Sequence, residues 1–261
     1  MAKLVYDETG RLLFTKEMKE EYTILFPTML PVHFGLMARI LETEGFHVEM
    51  LTTNHRGIVD EGLKYVHNDT CYPALLVIGQ LIDAVKSGKY DMHKVALLIT
   101  QTGGGCRASN YIHLLRKALE KAGLSYIPVI SVNLSGLEPN PGFKLGLNTL
   151  RKAVFAMMYG DIIVQTANQV RPYEVTAGQT DGAIESCMQR LLDGMDQGKG
   201  LSFKSMVANF DRIVAAFKAI PVAGEPKVRV GVVGEIYIKY SPLGNNNLEE
   251  FLLSEGAEPV V

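Results

Sequence analysis

Two short segments carry the residue types best able to do chemistry. In Asn68-Asp69-Thr70-Cys71-Tyr72-Pro73-Ala74, three turn and cap formers precede a cysteine, and Pro73 suits the first turn of a helix. In Gln101-Thr102-Gly103-Gly104-Gly105-Cys106-Arg107, a glycine loop leads from an apolar run into a strongly helical segment. Both Cys71 and Cys106 are therefore expected at helix amino ends, where exposed N–H groups and the helix dipole favour a thiolate. Thiolates are what soft metals need as ligands. Gly103, Gly104 and Gly105 would let the backbone approach a bound group closely.

Other readings of these residues stand beside that one. A cysteine is ordinarily a small buried hydrophobe. The glycine loop could cradle a phosphate, but it has neither the GxGxxG spacing nor the GK[ST] ending of the nucleotide-binding loops. Cys187, in ESCMQRLLDGM, falls inside a helical pattern and reads as structural. The six histidines form no HxxxH pair and join no CxxC or CxxH spacing, which argues against a locally built zinc site. His33 follows a strand-to-helix turn, where it would either face a crevice or be a solvated helix-start residue. Without a GxSxG elbow, or a nucleophile beside a histidine, hydrolase readings fall away. The polar residues of Gly234-Glu235-Ile236-Tyr237-Ile238-Lys239-Tyr240 follow a strand, so they are expected in a ligand-facing or simply solvated loop.

The elements that must position these residues alternate strand and helix. Residues 22–27 and 47–51 read as strands flanking a helix over 33–44 that stops at Gly45. Helices are expected near 58–66 and 72–87, then a buried central strand at 95–100, a helix over 107–122 and a strand at 127–132. This is the succession of a doubly wound parallel-sheet α/β lobe, roughly 20–135, in which loops at the carboxyl ends of the strands face one crevice. Residues 136–225 read as a helical connecting region, with helices at 143–168, 180–195 and 203–219. From about 226 a second α/β lobe begins, with a strand at 228–233, a turn, a helix at 247–255 capped by Asn245 or Asn246, and the start of a strand at 259–261. That second lobe reads as truncated at Val261.

Composition narrows the classes. In 261 residues with 47% hydrophobic and 21% charged residues and a net charge of -2, nothing points to disorder or a nucleic-acid-coating surface. The basic residues between Arg116 and Lys121 read as a solvated helix face. There is no signal-peptide core and no run of about 18 apolar residues, so the expectation is a cytoplasmic protein with no membrane partner. Three cysteines cannot build a disulfide framework.

Four segments together resemble a known family: NDTCYPA at 68–74, QTGGGCRASNY at 101–111, GLEPNPGFK at 136–144 and VGEIYIKYSPLGNNNLEEFLLSEGAE at 233–258. They are similar to the 2-hydroxyacyl-CoA dehydratase D-component family, most closely to the C-terminal region of CoA-substrate-specific enzyme activase-related proteins. The similarity runs from about Tyr22 to the last residue. It implies a [4Fe–4S] cluster whose first two ligands correspond to Cys71 and Cys106. In the family the third ligand comes from the second lobe, later than Val261, so Cys187 does not match it. Two thiolates are one short of that set. The resemblance also implies an ATP-dependent activase as electron-donating partner, an acyl-CoA substrate, and a radical dehydration or a related reduction. A non-catalytic electron-transfer or regulatory module is the alternative, a plain small-molecule-binding domain with inert cysteines is a third reading, and a dimer is compatible with all three.

Overall fold

The computed structural model describes residues 2–101, 110–133 and 138–261. The chain is a mixed α/β protein that divides into two compact units, one of residues 1–28 and 45–145, the other of residues 29–44 and 146–261.

The first unit is built on four parallel strands, β1 (Thr23–Pro27), β2 (His47–Leu51), β3 (Val95–Gln101) and β4 (Val129–Asn133), in the order β2-β1-β3-β4. Strand β3 is buried from Val95 to Ile99, as the unbroken apolar run requires of a strand covered on both faces. Only Leu51 of β2 is buried, in keeping with its place at the sheet edge. Because β1 has β2 on one side and β3 on the other, the chain changes direction across the sheet between them, and the carboxyl ends of β1 and β3 bound the crevice where ligands of such sheets bind.

Helix α1 (Lys16–Glu21), which polar sequence had hidden, is started by Thr15, whose hydroxyl accepts from the Met18 N–H, and is anchored by fully buried Met18. Helix α2 (Pro31–Thr43) begins at the expected proline but belongs to the second unit, not to the lobe whose strands it connects. Helices α3 (Arg56–Tyr65) and α4 (Tyr72–Lys86) pair closely. Almost all of α4 from Ala74 to Val85 is buried, against β1, β2, α3 and α5 (Tyr111–Lys121). Gly62 and Gly79 permit the α3–α4 contact: a Cβ on Gly79 would lie 2.2 Å from the Ile58 carbonyl oxygen, and one on Gly62 2.4 Å from that of Leu75.

In the second unit α2 packs with α6 (Leu147–Val170), α7 (Gln179–Asp196) and α8 (Phe203–Lys218). Their common core includes Leu36, Ile40, Tyr159, Ile163, Leu191, Met206 and Phe217. The Tyr159 hydroxyl, inside that core, donates to the Gly200 carbonyl at 2.7 Å and accepts from Asn209 at 3.0 Å, which removes the cost of an unpaired buried group. Next come β5 (Arg229–Gly231), α9 (Ile236–Tyr240), α10 (Pro242–Asn245), α11 (Leu248–Ser254) and β6 (Glu258–Val260), with β5 and β6 paired in parallel.

The sequence reading of 235–247 as a turn is corrected here. Glu235 caps α9 by accepting from Tyr237 and Ile238 N–H groups, and Ser241 caps α10, which starts on Pro242. The N-cap of α11 is Asn247, at φ 56°, while the Asn245 carboxamide accepts from the Leu248 N–H at 3.1 Å. Among the described residues no helix is long and apolar enough to cross a membrane.

Two predictions follow from this packing. Gly79→Ala would gain about 1 kcal/mol of helix propensity but force α3 and α4 apart at a backbone contact, which costs about 3 kcal/mol. A net loss of about 2 kcal/mol is expected from chemical denaturation, and a stabilised variant would contradict the close contact. Glu138 joins Arg116 at 2.5 Å and Arg11 at 3.1 Å. Burial pushes the Glu138 carboxyl up, but hydrogen bonding to Arg116 and the charges of Arg116 and Arg11 outweigh it and hold the carboxyl below its ordinary 4.5. Its stabilising contribution is therefore complete above 4.5 and lost as pH falls through the depressed folded value. Thermal melts of Glu138→Gln should lie below wild type at neutral pH and converge with it in acid.

Candidate functional site

Helix α4 fixes Cys71 at the carboxyl edge of the sheet. Gln80, in the middle of the helix, donates its amide to the carbonyls of Leu51 at 3.3 Å and Thr53 at 2.9 Å, just where β2 ends. At 1.5 Å per residue, the stretch from Gln80 back to Cys71 carries the amino end about 13 Å beyond that point. Cys71 is the N-cap residue, in extended conformation at φ -59° and ψ 144°, and its carbonyl accepts from the Ala74 N–H at 3.0 Å. Pro73 lies in the first turn as the sequence implied, and no acidic residue shares that turn.

The Cys71 thiol is half-buried, and its Sγ lies 2.9 Å from the hydroxyl of Tyr111. Tyr111 is the first residue of α5, so this contact ties the amino ends of α4 and α5 together and orients the sulfur. Sequence reasoning placed Tyr111 only on the apolar stripe of its helix. Its hydroxyl's approach to a sulfur forty residues away has no local signal. Gly103, Gly104, Gly105 and Cys106 lie outside the described residues.

Cys187 is settled by burial. It is 3% exposed within the core shared by α2, α6, α7 and α8, and burial pushes its thiol up, partly offset by the charge of Arg190. A sulfur so placed packs as a small hydrophobe.

His33 is not the solvated helix-start residue that was one of its two sequence readings. It is 2% exposed, and its Nε2 lies 3.0 Å from Oδ1 of Asp161 on α6. The ring lies so close to Gly160 that a Cβ there would come within 2.4 Å of it. Its Nδ1 has no partner among the described residues. His33 and Asp161 also line a cavity of about 320 Å³ in the second unit, with Gln165, Asn168, Arg229 and Glu258. Arg229 and Glu258 pair with each other at 3.0 Å, and Tyr173 donates to Glu258 at 2.8 Å.

In the GLEPNPGFK segment the described polar residues hold structure together. Asn140 accepts from the Phe14 N–H at 3.0 Å, and Glu138 binds its two arginines. Likewise Glu235 is occupied as the cap of α9, while Tyr240 lines the cavity. Among the described residues no three His, Cys, Asp or Glu side chains come together in a group that could hold a metal ion.

The site thus belongs to a parallel α/β unit with a half-buried cysteine held over the carboxyl edge of its sheet. No family model, no curated protein and no solved structure matches the chain.

The difference between the two described cysteines is measurable. On brief treatment of the native chain with iodoacetamide, peptide mapping should find Cys71 modified and Cys187 intact until the protein is unfolded. Equal labelling of both would contradict the burial of Cys187.

Proposed function

We propose that this chain is the iron–sulfur-cluster-bearing component of a 2-hydroxyacyl-CoA dehydratase-like or related reductase system, working in the cytoplasm with low-potential electrons from an ATP-dependent activase. The observation that carries the reading is the position of Cys71: half-buried, at the amino end of a 15-residue helix, with its sulfur oriented by Tyr111. That amino end suits an anionic group, because its N–H groups and dipole present positive charge and no carboxylate in the first turn cancels it.

The donors fit part of a cluster. Cys71 has the exposure and setting of a ligand, Cys106 is its proposed companion, and buried Cys187 is unsuited to ligation. Clusters generally take three or four thiolates, so the reading calls for at least one further ligand from outside these two. A bound cluster would supply one-electron redox chemistry. The chain's own residues would hold it and orient it: Cys71 by ligation, Tyr111 by hydrogen bonding to the ligating sulfur, which is the kind of contact that tunes a metal site.

Anaerobic reconstitution with ferrous iron and sulfide tests this. Wild-type and Cys187→Ala chains should take up iron and show visible absorbance, whereas Cys71→Ala should lose most of both while keeping the wild-type circular dichroism. Equal iron uptake by Cys71→Ala would overturn the assignment. Calorimetry with an acyl-CoA then separates an enzyme component from the electron-transfer or regulatory alternative, which predicts a cluster without acyl-CoA affinity.

A further inference from the structure

Helix α6 is apolar on two opposite faces. One face, with Ala156, Tyr159, Ile163 and Ala167, is buried in the helical core. On the other, Leu147, Leu150, Val154 and Met157 are exposed, Leu147 by 88% and Val154 by 61%. Solvent-facing positions of a core-packed helix are normally polar. The spacing of these four is three, four and three residues, which is the seam that one helix presents to another in a coiled coil. Phe203 and Val207, one turn apart on α8, are exposed as well. Helix α8 packs against α6, and the Arg151 guanidinium donates to the carbonyl of Leu201 just before α8 begins.

We propose that this surface is where two copies of the chain associate, with the α6 helices packed antiparallel about a two-fold axis near Val154 and Met157. Two observations select a second copy. First, the seam is bordered by opposite charges at either end of its exposed stretch: Arg151 toward the amino end, and Asp161, with a side chain 81% exposed, toward the carboxyl end. An antiparallel pairing brings Arg151 of each copy to the level of Asp161 of the partner subunit, twice over, as a two-fold interface requires. A parallel pairing would set like charges together. Second, the stripe leaves Leu147 exposed by 88% and Val154 by 61%, with Phe203 exposed by 74% on the neighbouring helix α8, large apolar side chains of the kind that a stable interface covers when it takes roughly 800 Å² from each partner. The inference does not depend on the cysteine site.

Sedimentation velocity on the full chain at tens of micromolar is the test. The wild type should sediment as a dimer. Val154→Glu, which buries two charges at the axis, should be monomeric with unchanged circular dichroism and melting temperature. Arg151→Glu and Asp161→Arg should each weaken dimerisation by about tenfold, as like charges face each other, and the double exchange should recover most of the affinity. Because Asp161 also holds His33, recovery in the double variant separates a lost intersubunit pair from local damage. A monomeric wild type overturns the proposal. So does a Val154→Glu chain that remains dimeric, or a charge exchange without recovery.

Discussion

The burial of α4 along nearly its whole length is the constraint on which the carboxyl edge of the first unit depends. A helix apolar on all sides has to be enclosed. Here the sheet takes one side, α5 another, and α3 a third, at a distance only Gly62 and Gly79 allow. Gln80 then sets the helix lengthwise, because its amide must reach the last carbonyls of β2 or remain a buried group without a partner. With rotation set by packing and translation set by that amide, the amino end has one position. Cys71 inherits it, and Tyr111 orients the sulfur.

The second unit is held together differently. Its helices share a core of Leu, Ile, Met and aromatic side chains, within which the few polar groups are tied individually: Tyr159 to Gly200 and Asn209, and Lys152 to Asp196 at 2.9 Å. The Thr180 hydroxyl and the His33 ring are exceptions among the described residues. For the ring the geometry is explicit. Its Nε2 faces Asp161 while its Nδ1 is buried without a partner among the described residues, an arrangement that holds the ring firmly against Gly160 at an energetic cost. Helix α6 is apolar on two faces, one serving the core and the other left exposed at the surface.

Much of the fold was legible in the residues themselves. The unbroken apolar run at 95–100 marked β3, because a strand buried on both faces has no polar side. The turn formers before Cys71, with Pro73 behind it, placed Cys71 at or near the start of α4, because a proline suits the first turn of a helix whatever the rest of the chain does. Polar stretches were harder to read. Residues 235–247 passed for a turn because α9 and α10 are too short to show a periodicity, and only their caps, Glu235 and Ser241, reveal them.

What the sequence determined by itself was therefore the type of each long element and the cysteine at the head of α4, both set by interactions within a few residues. The tertiary structure alone decided the rest. It assigned α2 to the helical unit, buried His33 against Asp161 and Cys187 in the core, and brought the Tyr111 hydroxyl to the Cys71 sulfur. Each of these joins residues forty or more positions apart or turns a side chain inward, and no local pattern encodes such a meeting. It arises only when whole apolar faces find one another.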